Sequence, residues 1–160
     1  MDEKSLTSRI QLDETDIKIL AALQDDARLT IRELATKVGR TPTPVYERVK
    51  RLESSGVIKG YFAILDAEAI GRGLTVFCNV KLQKIGKAIH QDFATRILQM
   101  PEVVECYNIS GSFDYLLKVV TADMREYQAF VTDNLGVIDY LASVESVFVM
   151  QQVKSDTIKV

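Results

Sequence analysis

The chain has 160 residues, 47% of them hydrophobic and 26% charged, and a formal net charge of -2. That composition suits one globular domain or two small ones and excludes a disordered or fibrous chain. No apolar run approaches the roughly 18 residues that a bilayer-crossing helix needs, and the start MDEKSLTSRIQLDE is too polar for a signal peptide, so a cytoplasmic location is expected.

The first half reads as three short helices. Asp13 is a natural N-cap, with Glu14 and Asp16 suiting the positive helix start, and apolar Ile17, Leu20 and Leu23 carry the first helix to about Asp25. Thr30 and Glu33 form a capping box for the second, whose apolar Ile31, Leu34, Ala35 and Val38 share one face and whose end is marked by Gly39. The third follows so closely that it must turn sharply against the second, which is helix-turn-helix spacing. Either threonine of Thr41-Pro42-Thr43-Pro44 suits its cap, Val45, Val49 and Leu52 form its buried stripe, and Gly56 ends it. The segment VIKGYFAIL then reads as two short strands turning at Gly60, the wing of a winged helix-turn-helix.

Overall charge conceals a local feature. Between residues 40 and 59, Arg40, Arg48, Lys50, Arg51 and Lys59 face only Glu47 and Glu53. A phosphate backbone attracts such a basic segment.

Residues 66–73, DAEAIGRG, read as a linker between a DNA-binding domain, 1–65, and a second domain, 74–160. From Leu74 the apolar residues alternate through Leu82 as in a half-buried strand. A helix with Ile89, Phe93, Ile97 and Met100 follows, stopped by Pro101. Strands VVECYNIS and YLLKVVT come next, then a helix from Asp123 burying Tyr127, Phe130, Val131 and Leu135, and a final strand VESVFVMQQV. The order β-α-β-β-α-β makes the chain α+β, with a ferredoxin-like antiparallel sheet that carries both helices on one face. Apolar residues at both strand parities leave the other face partly apolar, so self-association is expected. Cys78 and Cys106 lack metal-ligand spacing and read as buried free thiols, with a disulfide as the lesser alternative. His90, the only histidine, reads as a surface or helix-end residue, and nothing matches a phosphate loop, a zinc site or a nucleophile with its base, so no catalysis and no cofactor are expected.

The stretches LDETDIKILAALQDDARLTIRELATKVG, TPTPVYERVKRLESSGVIKGY and SGSFDYLLKV, in this order, resemble the Lrp/AsnC (feast/famine) family of transcriptional regulators over roughly residues 12–154. The resemblance implies a winged helix-turn-helix, a ferredoxin-like effector domain, dimers that assemble further, often to octamers, and amino-acid effectors bound between subunits. Two positions differ from many relatives: Arg40-Thr41 stands where they read Leu-Ser, and Val144 and Ser146 stand where they place two effector threonines.

With Val45, Val49 and Leu52 buried, Thr43, Glu47, Lys50, Arg51 and Ser54 lie opposite, available to a major groove. Arg51 or Lys50 suits guanine O6 and N7, and Glu47 suits cytosine N4. Arg40, Thr41 and Arg48 suit phosphates, and Tyr46 flanks the stripe. Gly111-Ser112-Phe113-Asp114 reads first as a turn between strands. The resemblance adds an effector there, its carboxylate on loop amides of Gly111 and Ser112, its ammonium on Asp114, with Ser146 nearby. Double-stranded DNA, an amino acid and other copies of the chain are the expected partners, with no membrane. An architectural DNA-wrapping protein without a required ligand, or a metabolite-binding regulatory subunit, are the alternatives.

Overall fold

Asp13 begins the regular structure. Its carboxylate accepts the Asp16 amide at 2.8 Å and Asp16 reciprocates at 3.1 Å, so two of the unpaired amides at the start of helix α1 (Glu14–Asp25) are satisfied. The second capping box, Thr30 with Glu33, starts α2 (Ile31–Val38), which ends on Gly39 in the left-handed region at φ 67°. Thr41 occupies the N-cap position of α3 (Pro42–Ser54), with no side-chain cap bond, and Pro42 takes the first turn. Ile19, Leu20, Leu34, Ala35, Val45, Val49 and Leu52 pack into one core. Each buried aliphatic side chain of leucine size contributes about 1.5–3 kcal/mol of transfer free energy.

The computed structural model describes residues 10–156 and 158–160. These form two compact units, one reaching to Ala63 and including Ser155–Val160, the other spanning Ile64–Lys154.

The wing departs from its expected form. Residues 57–65 contain no strand, and Gly60 does not take a positive φ. The Ile58 amide donates to the Leu52 carbonyl at 3.0 Å and its side chain packs on the helical core, while the Tyr61 hydroxyl donates to Glu53 at 3.1 Å. Phe62, Ile64 and Leu65 are exposed. Two strands this short, without a third to pair with, are marginal in water, and the local anchors of Ile58 and Tyr61 prevail.

Asp66, accepting the amides of Glu68 and Ala69, builds a turn near the start of the second unit. Its elements are β1 (Leu74–Leu82), α4 (Lys87–Ile97), β2 (Val103–Asn108), β3 (Tyr115–Thr121), α5 (Met124–Ala129) and β4 (Leu141–Phe148). The strands pair antiparallel in the order β2-β3-β1-β4. Val76, Cys78, Val80 and Leu82 of β1 and Tyr115, Leu117 and Val119 of β3 point to one side, where Phe93 and Ile97 of α4 and Tyr127 and Phe130 from the second helix cover them. Asp123 caps α5 through the Glu126 amide at 2.9 Å. At Phe130 the helix widens into a π turn, Phe130–Leu135, closed by the Gly136 amide on the Val131 carbonyl at 2.8 Å. That turn puts Phe130 and Leu135, five residues apart, on the same buried face.

Two further expectations change. The last strand starts at Leu141, three residues before the expected Val144, and ends at Phe148, leaving Met150 exposed. Both cysteines are free, but only Cys78 is buried; Cys106 lies exposed on the edge strand β2.

Candidate nucleic-acid interface and effector loop

The stripe Val45, Val49 and Leu52 sets which side of α3 faces solvent. Thr41, Thr43, Tyr46, Glu47 and Lys50 are all exposed. The Lys50 ammonium pairs with Glu53 at 3.1 Å and stands 5.9 Å from the centre of the Tyr46 ring. That carboxylate also accepts from Tyr61, so Glu53 organises the C-terminal half of the face. Its hydrogen bond from Lys50, despite some burial, holds its carboxyl below the usual range and keeps it charged. Arg40, at the turn between α2 and α3, donates to the Gly39 carbonyl at 3.2 Å and to the Thr15 hydroxyl at 3.4 Å, and is exposed. Thr41, with no capping bond to make, keeps its hydroxyl available at the helix start, where backbone amides favour anions.

Arg48 and Arg51 are placed differently from their expected roles. Arg48 Nη1 contacts Asp13 Oδ2 at 2.6 Å and Asp16 Oδ1 at 2.8 Å, and Arg51 Nη2 contacts Asp16 Oδ2 at 2.5 Å. Both guanidiniums are thus turned back onto the start of α1. Burial alone would push the Asp16 carboxyl up, but the Asp13 amide and the Arg48 and Arg51 guanidiniums outweigh it and hold it below its ordinary value. In the chain by itself Arg48 and Arg51 are paired with acidic side chains of α1, because a buried carboxylate needs charged partners.

In the second unit, Gly111 takes φ 123°, a conformation that favours glycine, and Ser112 is exposed beside it. Asp114 is buried and already engaged. Its Oδ2 accepts the Leu82 amide at 2.8 Å and meets Lys81 Nζ at 3.3 Å, while its own amide donates to the Val80 carbonyl at 2.9 Å. The Leu82 amide above all, and then Lys81, hold its carboxyl below the usual range against the opposing effect of burial. Asp114 therefore braces the loop against β1. His90 Nδ1 lies 2.7 Å from the Tyr115 hydroxyl at the same end of the sheet.

Ser146 does not join this loop. It pairs across from Cys78, and its hydroxyl is hydrogen-bonded to the Tyr127 hydroxyl, which also meets Cys78 Sγ at 3.1 Å. Burial pushes the Tyr127 phenol well above its ordinary range. Tyr127 was legible only as a core residue, since its polar partners lie 49 and 19 residues away. Val144 lines a cleft of about 190 Å³ with Val131, Leu135, Ile138, Leu141 and Ser143, between the π turn and β4. A larger hollow of about 590 Å³ is lined by residues 64–68, Gly73, Thr75 and 149–152. No helix among the described residues is long and apolar enough to cross a membrane.

Comparison with known proteins covers both units. Residues 12–59 match the family model for winged helix-turn-helix DNA-binding, and residues 75–158 match that of the Lrp/AsnC ligand binding domain. The chain is 43% identical over 143 residues to the Bkd operon transcriptional regulator of Pseudomonas aeruginosa, covering 89% of this chain and 94% of that protein. It is 40% identical over 146 residues to the leucine-responsive regulatory protein of Rhizobium meliloti, covering 91% and 94%. Among solved structures, a transcriptional regulator of Neisseria meningitidis in complex with L-Met superposes with a TM-score of 0.86 at 37% identity, covering 92% of this chain and 95% of that one. AsnC of E. coli superposes with a TM-score of 0.84 at 27% identity, covering 92% and 98%.

Proposed function

Since the chain belongs to the Lrp/AsnC family of DNA-binding transcriptional regulators, we propose that it reads operator DNA with the exposed face of α3 and responds to an amino acid bound between subunits. The observation that carries the first part is the solvent face of α3, where Thr43, Glu47 and Lys50 stand opposite the buried Val45, Val49 and Leu52. In a major groove Lys50 donates to guanine, Glu47 accepts from cytosine N4, and Tyr46 and Thr43 contact the flanks. Arg40 and Thr41, at the entry to the helix, meet phosphates and set register without reading sequence. Residues 1–65 act as the DNA-binding part, 66–73 as the connector and 74–160 as the sensing and self-associating part, working in the cytoplasm.

Lys50→Ala is expected to weaken operator binding about tenfold and to relax base preference at one position per half-site, the size of one good base contact. Equilibrium titration of operator and scrambled duplexes at fixed salt reads this. Unchanged operator affinity would remove α3 from the reading role, and equal wild-type affinity for both duplexes would favour an architectural protein instead.

The effector reading is supported by a solved relative that carries L-Met. In this chain the amides of Gly111 and Ser112 are the proposed carboxylate holders, with Asp114 shaping the loop and Ser146, under Tyr127, supporting the sheet beside it. Dimers that assemble further place this loop between subunits, and two-fold symmetry calls for palindromic half-sites about one helical turn apart. Thermal melting and oligomer mass measured against each of the common amino acids test the sensing function, because a ligand that binds only the folded form raises its stability by about 2.7 kcal/mol at a hundredfold excess over Kd. A melting temperature and mass that no amino acid moves would end this part of the reading.

A further inference from the structure

Asp16 lies at 0% exposure, three residues from the cap of α1, and two cations of α3 converge on its carboxylate. Its Oδ1 receives Arg48 Nη1 at 2.8 Å and its Oδ2 receives Arg51 Nη2 at 2.5 Å, while Asp13 Oδ2 meets the same Arg48 nitrogen at 2.6 Å. Arg48 and Arg51 are one helical turn apart, so one carboxylate fixes both the roll and the slide of α3 along α1, beyond what the interchangeable contacts of Val45, Val49 and Leu52 specify. The side chains of the two arginines remain 31% and 49% exposed, so they are held by charge and not enclosed by packing.

We propose that Asp16 is a positioning residue for sequence discrimination: it withholds Arg48 and Arg51 from the DNA backbone while it aims the base-reading face of α3. Each cation that reaches a phosphate releases counterions and strengthens binding to every sequence alike. Withholding two of them lowers sequence-independent affinity and leaves the contacts of Glu47 and Lys50 as a larger share of the total. The inference rests on α3 being the reading helix.

The test is the salt dependence of binding by the full chain to operator and scrambled duplexes. In Asp16→Asn, which keeps the shape and removes the charge, the scrambled duplex is bound more tightly, its log-log salt slope steepens by about 0.9 for each arginine released, and the operator-to-scrambled ratio falls. Adding Arg51→Gln to that variant removes about 0.9 of the gained slope. In the otherwise native chain, Arg48→Gln and Arg51→Gln each leave the slope at the wild-type value, and these two variants decide the matter if Asp16→Asn does not fold. A slope that drops by about 0.9 in either single arginine variant would show that arginine already on phosphate and overturn the proposal. So would an Asp16→Asn protein that binds both duplexes proportionately less with an unchanged slope, the signature of a purely structural carboxylate. Lys50→Ala run alongside separates the two levels: if it too leaves operator binding unchanged, the reading helix has been misassigned, whereas a Lys50 effect with a silent Asp16 sinks only the positioning role.

Discussion

A carboxylate with no exposure, such as Asp16, makes the stability of its surroundings depend on pH with a definite sign. The group is held below its ordinary value of 3.8 in the folded chain, burial opposing and the Asp13 amide with the two arginines prevailing. It therefore contributes stability that is complete above that ordinary value and is lost as pH falls through the lower folded value. Asp13 shifts the same way, chiefly through the Asp16 amide and then Arg48. The expected result is a wild-type melting temperature flat from neutrality to about pH 5 and falling below about pH 4, with its advantage over Asp16→Asn shrinking across the same interval. A constant difference between the two proteins from pH 7 to pH 3 would mean that the network carries no net charge dependence. None of this network was legible from local pattern. Asp16 was recognised as a favourable charge at a helix start, but its arginine partners are 32 and 35 residues away, and a spacing of that length carries no periodicity to betray a contact. The same holds for Asp114, which as a turn residue was expected to meet a ligand. Its strongest partner, the Leu82 amide, becomes a neighbour only once β1 and β3 have paired.

At the scale of elements, what was legible is what depends on residues three or four apart. Both capping boxes and the glycine stop of α2 follow from such spacing, and each is present. Strand β1 alternates with period two and was legible for the same reason, whereas the expected last strand missed Leu141, Ala142 and Ser143 at its start and ran on past Phe148 at its end. The local form of the wing, without strands, and the π turn were not legible. A hairpin of two short strands is decided by whether anything pairs with it, and a π turn differs from an α-helix by a single added residue that hydrophobic spacing hardly registers. Gly39 gives the element scale a direct test. Its φ of 67° is strained for any L side chain, and a β-carbon there would meet nothing within 4 Å, so Gly39→Ala isolates the backbone term from any clash. The expected cost is about 1 kcal/mol. Hydrogen exchange at the amides of α2 should then be about fivefold faster, with β1 and β3 unaffected. Equal acceleration in both units would show that they unfold together.

The whole molecule poses the question of the sheet's second face. The core of the second unit occupies only the side of the sheet that the helices cover, and Phe77, Leu116 and Val120 stand outside it. Across the same face Val147 pairs opposite Phe77 and Tyr107 opposite Leu116, giving an apolar stripe through all four strands. Charged pairs interrupt it: Lys118 holds Glu105 at 3.0 Å, and Glu145 accepts from Asn79 at 3.3 Å. Satisfied charges beside half-buried apolar residues suit pairing with a second copy, where self-complementarity is automatic under two-fold symmetry, and this supports the proposed self-association. Leu116 lies near the middle of this stripe, between Asn79 of β1 and Tyr107 of β2. Leu116 is half-buried in the single chain, so the effect of its replacement with aspartate on the fold is read separately, by the helical signal. In an assembly the same change buries an unpaired carboxylate at the contact, a penalty of several kcal/mol that suffices to dissociate a pair of ordinary affinity. Sedimentation of Leu116→Asp is therefore expected to show a lower mass than the wild type at equal concentration, with the helical signal retained. An unchanged mass would leave this face to solvent and remove it from the proposed self-association.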